Sequence, residues 1–297
     1  MSSLTHFIEL INEENLIRFL QHYRLMDIQK FCECGHAMNV QKYNRCQDKH
    51  IWRCCKCKKT KTIRSGFFQI CSSLDISSIL QLMFLWIAEV PVTTASDIVG
   101  ICKNTSIQWY QYFRDFICSF KIIDVPDRNQ LGGPGHVVEI DESLMFKRKN
   151  NIEHVVEQHW IFGAYDLMTK KGYLTRVEDR SAATLVPLIQ RWVAVGSTIH
   201  SDQWAAYNNL NNIGFNHLTV NHTTNFVDPV TQATSNHVEA FWSRIKRRLK
   251  FVCGSQGDLK WSRLDEAIYR EYFAFKTENL WQNFTIFLQH VHDKYPL

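Results

Sequence analysis

Three carboxylates sit where a hard cation and a phosphate could be held between them. Asp141 follows the apolar run Val137-Val-Glu-Ile140, Asp202 follows Thr198-Ile-His-Ser201, and Glu239 lies within Asn236-His-Val-Glu-Ala-Phe-Trp242. Mg²⁺ takes octahedral oxygen ligation from a few carboxylates, with water and phosphate filling the rest. Two such ions, roughly 3.5–4 Å apart, activate an attacking oxygen and stabilise a leaving one. The chemistry expected is therefore metal-dependent phosphoryl transfer on nucleic acid. Asp141 would bridge both ions, and Asp202 and Glu239 would each hold one. No histidine or cysteine nucleophile is required. Singly, each residue has a plainer role: a turn aspartate, a helix N-cap, and one member of an exposed Glu–Ser–Lys stripe.

These side chains need elements to position them. After Leu131-Gly-Gly-Pro-Gly135, the clearest boundary in the chain, residues 136–141, 159–165 and 172–178 read as three strands linked by hairpins. Ser181 caps a helix predicted through Trp192, and residues 197–201 form a short strand. A helix is expected from Gln203, a strand over 217–220 and a long helix over 235–250. The order β-β-β-α-β-α-β-α is a mixed α/β layout around a central sheet. It matches the ribonuclease-H-like order, in which the first and fourth of five strands are neighbours. Asp141 and Asp202 would then meet at adjacent strand ends, where open α/β sheets place their ligands. In the last helix Val238, Phe241, Ile245 and Leu249 should face the sheet, leaving Glu239, Ser243, Lys246 and Lys250 as a polar stripe. Glu139 shares the strand face of Asp141, whereas Glu142 points the other way.

The upstream residues read differently. Residues 5–21 have the apolar spacing of one amphipathic helix. Residues 31–65 lose that spacing and gain cysteines. Cys54-x-x-Cys57 is half of a zinc site, because this spacing lets both thiolates reach one tetrahedral ion. Cys32-x-Cys34 is its expected partner, with nineteen residues between Cys34 and Cys54, a four-cysteine ribbon spacing. One residue inside the first pair, where ribbons usually have two, weakens Cys32 more than Cys34. Cys46, Cys55 and His36 are substitutes, and a ribbon that no longer binds zinc is the plainer alternative. Cys71, Cys102, Cys118 and Cys253 sit among apolar residues and read as core thiols.

Helical spacing returns over 76–87 and stops at Pro91. Thr93 or Thr94 would cap a short helix through Val99, Lys103-Asn104 would turn, and Thr105 would cap a helix to about Phe120. Two helices so closely joined make a helix-turn-helix whose second helix carries Gln108, Trp109, Gln111, Tyr112 and Arg114. A helical spacer with Trp109 and Tyr112 packed inside is the equal alternative.

The 297 residues carry a net charge of +5, with 45% hydrophobic and 21% charged side chains, the profile of a folded protein. Between Gln41 and Arg64, Lys42, Arg45, Lys49, Arg53, Lys56, Lys58, Lys59, Lys61 and Arg64 stand against Asp48 alone. A second block contains Arg244, Lys246, Arg247, Arg248 and Lys250. Two such patches favour a polyanionic partner. Arg53, Lys56, Lys58 and Lys59, with Trp52 beside them, would contact DNA backbone, as would Arg244, Lys246, Arg247 and Lys250. Gln108 would reach base edges. The apolar run Ile79–Val90 is too short to cross a membrane and contains Gln81 and Glu89. The acidic N-terminus does not resemble a signal peptide, and ten cysteines without an export signal suit intracellular thiols.

The residues also resemble a known family. Gly132-Gly-Pro-Gly through Val138-Glu-Ile-Asp-Glu-Ser143, Trp160-Ile-Phe-Gly163, Val177-Glu-Asp-Arg180 and His200-Ser-Asp-Gln-Trp-Ala-Ala-Tyr207 look like the catalytic core of Merlin-superfamily transposases. So do Val220-Asn-His222, Phe226-Val-Asp-Pro229 and Asn236-His-Val-Glu-Ala-Phe-Trp242, and the bacterial ISXO-like transposases are similar. The resemblance implies a DDE transposase with a ribonuclease-H-like core that cleaves at terminal inverted repeats and joins the 3′ hydroxyl to target DNA, using Mg²⁺ or Mn²⁺. It maps the acidic positions onto Asp141, Asp202 and Glu239. Some relatives give the third role to an Asn near the glutamate, which keeps Asn236 as a second candidate. Thr234 departs from the pattern, since relatives commonly carry a histidine there; His237 could substitute. The domains expected are an N-terminal helix (1–30), a zinc-ribbon-like module (31–70), a helix-turn-helix-like segment (71–130), the core (131–255) and a helical extension (256–297). Synapsis of two ends implies a homodimer or higher assembly, with no membrane partner. Location would be nuclear in a eukaryote and cytoplasmic otherwise. The alternatives are a transposase-derived protein that only binds DNA, and a host nuclease on the same fold.

Overall fold

The structure, a computed structural model, describes residues 4–70, 73–119, 129–145, 159–221, 227–251 and 259–297. It divides into two compact units, residues 1–117 with 275–297, and residues 118–274. Cys71 and Cys253 lie outside the described residues.

In the first unit the helix Ile76–Ile87 is the core element, with nine of its twelve residues buried. Asp75 starts it by accepting the Ser78 N–H at 2.9 Å, an N-cap that satisfies an otherwise orphaned donor. Phe7 stacks on Phe84 at 4.3 Å, and the C-terminal helix Leu280–Lys294 adds Phe284 and Phe287 to the same cluster. The expected single helix over 5–21 is two, Leu4–Leu10 and Leu16–His22. Asn12 breaks it by accepting the N–H groups of Glu14 and Asn15 with its own side chain, the local competition that disfavours Asn inside helices.

Four short strands, β1 (Lys30–Phe31), β2 (Ala37–Lys42), β3 (His50–Cys54) and β4 (Thr60–Thr62), form an antiparallel sheet in sequence order. The ribbon is tied to the central helix by buried Arg64, whose guanidinium pairs with Asp48 at 2.6 Å and donates to the Leu74 carbonyl. Asp48 also accepts the Ile76 N–H at 3.0 Å. Arg64 and Asp48 are therefore structural, and do not belong to a DNA-facing patch.

Helices Val92–Val99 and Lys103–Tyr112 follow, with π-helical turns over Phe113–Cys118. The turn is Gly100-Ile101-Cys102, not Lys103-Asn104, because Gly100 ends the first helix in the left-handed conformation at φ +75°, where glycine carries no Cβ penalty. Pro91 and Cys102, not the threonines, occupy the N-cap positions.

In the second unit β6 (Val137–Met145), β7 (His159–Asp166) and β8 (Gly172–Val177) make an antiparallel meander. β10 (Thr198–Ser201) and β11 (Asn216–Thr219) extend it in parallel, giving the order β11-β10-β6-β7-β8. Two-residue strands β5 (Leu131–Gly132) and β9 (Val193–Ala194) pair beside it. This is the five-stranded ribonuclease-H-like sheet, with the first and fourth core strands adjacent. Helix Ala182–Trp192 covers one face, where Trp192 meets Phe162 and Tyr173. Helix Asn236–Phe251 covers the other, where Phe241 meets Tyr165. The helix expected from Gln203 is only two 3₁₀ turns, Ala205–Tyr207 and Leu210–Ile213.

Glycine fixes the entrance to β6. Gly132 has φ +82°, and a Cβ there would lie 2.2 Å from the Ser197 hydroxyl. That hydroxyl accepts the Gly133 N–H at 2.8 Å, and Asp166 accepts the Gly132 N–H at 3.1 Å. The Gly-Gly-Pro-Gly stretch thus registers β6 on its neighbours.

Candidate active site

Asp141 is not at a strand end, because β6 runs on to Met145. Instead it lies where the parallel neighbour stops: β10 pairs Thr198–His200 with Val137–Glu139 and ends at Ser201. Carrying that register on by two residues sets Asp202 against Asp141. Across β7, Asp141 faces Gly163, where a Cβ would lie 2.8 Å from the Trp242 ring. Glycine there admits Trp242 of the covering helix to the sheet surface.

That helix divides as its spacing predicts. Val238, Phe241, Ile245 and Leu249 are buried; Glu239, Ser243, Lys246 and Lys250 are exposed. Lys246 reaches back to the Ser143 hydroxyl at 2.7 Å, so Glu139, Asp141 and Ser143 face this helix while Glu142 does not. Glu239 accepts the Ser235 hydroxyl at 3.0 Å. Asn236 is exposed one turn earlier, with its N–H on the Thr234 hydroxyl at 3.1 Å.

The three carboxylates lie within electrostatic reach of one another. The Asp141 carboxyl is pushed up to about 7, first by burial and then by the charges of Glu142, Asp202 and Glu239. Asp202 accepts the Trp204 N–H at 3.0 Å in a side-chain turn. Among the described residues, no three carboxylate ligand atoms close to within 4.8 Å of one another; that proximity is reached only by four thiols. A set of mutually repelling hard oxygens suits hard divalent ions, which would neutralise it.

Two further carboxylates complete the surroundings. Glu139 is fully buried and accepts the N–H groups of His237 and Val238, each at 2.8 Å, together with His237 Nδ1 at 2.8 Å. It caps the helix that carries Glu239. Sequence reasoning placed Glu139 on the right face but missed this role; the signal was a charged residue inside an otherwise apolar strand. Glu142, on the other face, receives two bonds from Arg180 at 2.8 and 3.0 Å. Its carboxyl is nonetheless pushed up to about 7 by burial, against Arg180, with Asp202 adding to the rise. The Arg180 guanidinium lies 4.6 Å from the Trp160 ring and 4.3 Å from the Trp204 ring.

Thr234, where the family resemblance leads one to expect histidine, is buried and donates its N–H to His200 Nδ1 at 3.3 Å. Burial holds the His200 imidazole below its ordinary value.

In the ribbon, Cys32, Cys34, Cys54 and Cys57 bring their sulfurs within 4.8 Å of one another. The closest pairs are Cys32–Cys57 at 3.4 Å and Cys34–Cys54 and Cys34–Cys57, each at 3.5 Å. A tetrahedral ion with Zn–S near 2.3 Å requires sulfurs about 3.8 Å apart, so the cluster fits a structural zinc. The short Cys-x-Cys spacing is accommodated by Gly35 at φ +79°. Cys46, Cys55 and His36 stand outside the cluster. Cys118 is a core thiol as expected, but Cys102 is exposed.

Arg53, Lys56, Lys58 and Lys59 are exposed, as are Gln108, Arg247 and Lys250. Trp52, by contrast, is 2% exposed and faces the core. Lys59 pairs with Glu33 at 3.1 Å. Arg244 is held inside its own unit by Glu271 at 2.5 Å, over the Tyr165 and Phe241 rings. Trp109 and Tyr112 pack on Phe67, so this part of the helical segment is core while Gln108 and Gln111 remain outside. No helix among the described residues is long and apolar enough to cross a membrane.

Residues 131–270 match the family described as the ISXO2-like transposase domain. An 83-residue stretch is 31% identical to an uncharacterised transposase-like protein of Haemophilus influenzae, covering 28% of this chain and 66% of that protein, just under two thirds of its length. Among solved structures, the catalytic core of HTLV-2 integrase in complex with magnesium is similar at 14% identity, over 46% of this chain and 84% of that one, with a TM-score of 0.32. The catalytic core of BIV integrase is similar at 16% identity, over 45% and 81%, with a TM-score of 0.31.

Proposed function

We propose that this chain, whose residues 131–270 match the ISXO2-like transposase domain family, cleaves DNA at transposon inverted repeats and joins the freed 3′ hydroxyl to target DNA. The observation that carries the proposal is geometric: the β10–β6 register carries Asp202 opposite Asp141, and the helix bearing Glu239 packs over the same strand face, where burial first and the neighbouring carboxylates second raise the Asp141 carboxyl. A site that concentrates negative charge where no substrate charge can yet be met is arranged for cations.

Asp141, Asp202 and Glu239 would hold Mg²⁺ or Mn²⁺, with Asn236 the alternative to Glu239. Such ions, when bound, supply charge for the attacking and leaving oxygens of an in-line displacement. The chain's own residues do the positioning. Glu139 anchors the Glu239 helix to the Asp141 strand. The exposed Arg247 and Lys250 follow Glu239 along that helix, where they would contact the phosphates of the bound strand. Arg53, Lys56 and Lys58 of the ribbon and Gln108 of the helical segment would add contacts to the repeats, and two copies would be needed to pair two ends.

Manganese binding to the zinc-loaded protein, read from the free-Mn²⁺ paramagnetic signal, tests the site. Asp141→Asn and Asp202→Asn should each weaken binding at least tenfold. Unchanged binding in both variants would overturn the assignment.

A further inference from the structure

Trp204 is the one exposed tryptophan of the chain's nine, at 39%. An indole left at the surface usually lies flat over apolar neighbours, but this one is braced by polar ones. Its ring nitrogen donates to the Arg180 carbonyl at 2.9 Å, and the Arg180 guanidinium lies 4.3 Å from its ring centroid. Arg180 is fixed in turn by buried Glu142 and by Trp160. The Trp204 N–H closes the turn on Asp202. A rigid aromatic ring is thus held in solvent two residues from one candidate metal ligand, on a support rooted beside the other, Asp141.

From this geometry we infer that Trp204 is a stacking platform for an unpaired nucleobase of the reacting DNA strand. The inference rests on the proposed phosphate site at Asp141 and Asp202, and it gives that site a contact to the base next to the phosphate. A base is the natural occupant because an indole recognises a partner through its π system, and every base has a π face to offer. A cation is excluded as the natural occupant because Arg180 already supplies one to this ring. The platform would favour strands whose bases near the reacting phosphate are unstacked, and it would be indifferent to their identity.

The test uses the full chain with a fluorescein-labelled, thymine-rich single strand carrying 5-iodouracil, and with the duplex of the same sequence. Trp204→Ala should weaken single-strand binding by about 5- to 150-fold, the range of one base–aromatic stack, and should change duplex binding by less than about twofold. Trp204→Phe should retain most of the single-strand affinity, and photo-cross-linking should map to the peptide containing Trp204. Equal losses on both DNA forms, no loss on either, or cross-links confined to other peptides would overturn the inference. Neither readout needs catalysis, so a failed joining reaction and a failed platform remain distinguishable.

Discussion

Glu139 Oε2 accepts the His237 backbone N–H at 2.8 Å, which fixes the end of the Glu239 helix to the strand that carries Asp141. A carboxylate at a helix N-terminus satisfies orphaned donors and meets the positive end of the helix dipole. Because Glu139 also takes the Val238 N–H and His237 Nδ1, it sets the spacing between two of the three candidate ligands.

Glu139→Leu keeps a similar volume but removes both acceptors, leaving the His237 and Val238 N–H groups without their partner. A buried donor left unsatisfied costs about 1–3 kcal/mol. Urea unfolding should show a loss of that order, whereas Glu178→Gln, outside this network, should lie within about 0.5 kcal/mol of wild type.

The raised Asp141 carboxyl makes metal-free stability depend on pH. Its folded value, about 7, lies above the unfolded aspartate range, so the native state binds the extra proton. Stability from this group is present at low pH and falls as pH rises from about 4 toward 7. Asp141→Asn removes this contribution and leaves that of Glu142, which is raised to about 7 as well. Its melting temperature, relative to wild type, should therefore rise across that window in chelator. Added Mg²⁺ should narrow the difference by stabilising the wild type. A constant difference between the two proteins from pH 4 to 8 would contradict the electrostatic picture.

The sequence made the Asp141 and Asp202 juxtaposition legible because periodicity gives the order of elements along the chain, and that order matches the ribonuclease-H-like layout, in which the first and fourth core strands are neighbours. Glu139 and Arg180 were less legible, since their roles depend on which partner arrives from far along the chain: His237 for one, Glu142 and Trp204 for the other. The turn falls at Gly100, and not at Lys103-Asn104, because the left-handed preference of glycine outweighs threonine capping propensity there. The helix expected after Gln203 shortens to 3₁₀ turns for a related reason. Asn208, Asn209, Asn211 and Asn212 compete for local hydrogen bonds, as Asn211 does with the His217 N–H at 2.8 Å.

The ribbon should contain one zinc per chain. Cys34→Ser and Cys54→Ser should each lose it, measured by elemental analysis, while Cys46→Ser and Cys55→Ser should retain it. Chelation should lower the melting temperature of the wild type and leave the two zinc-free variants little changed, because ligand binding free energy is folding free energy in such sites.

Glu239 and Asn236 make opposing predictions for the third ligand. Glu239 points from the exposed stripe and contributes to the pressure on Asp141, whereas Asn236 lies at the first residue of the helix. Glu239→Gln should reduce joining by more than about a hundredfold, in line with loss of a catalytic metal ligand. Asn236→Ala should reduce it by about tenfold or less. The reverse order would reassign the ligand to Asn236.

The most direct measurement is strand transfer by purified protein on linear DNA carrying its cognate inverted repeats, in Mg²⁺ or Mn²⁺. Wild type should produce joined products, and Asp141→Asn and Asp202→Asn should produce none while still binding the repeat DNA. Undiminished joining by either variant would contradict the assignment of these two aspartates to the catalytic site.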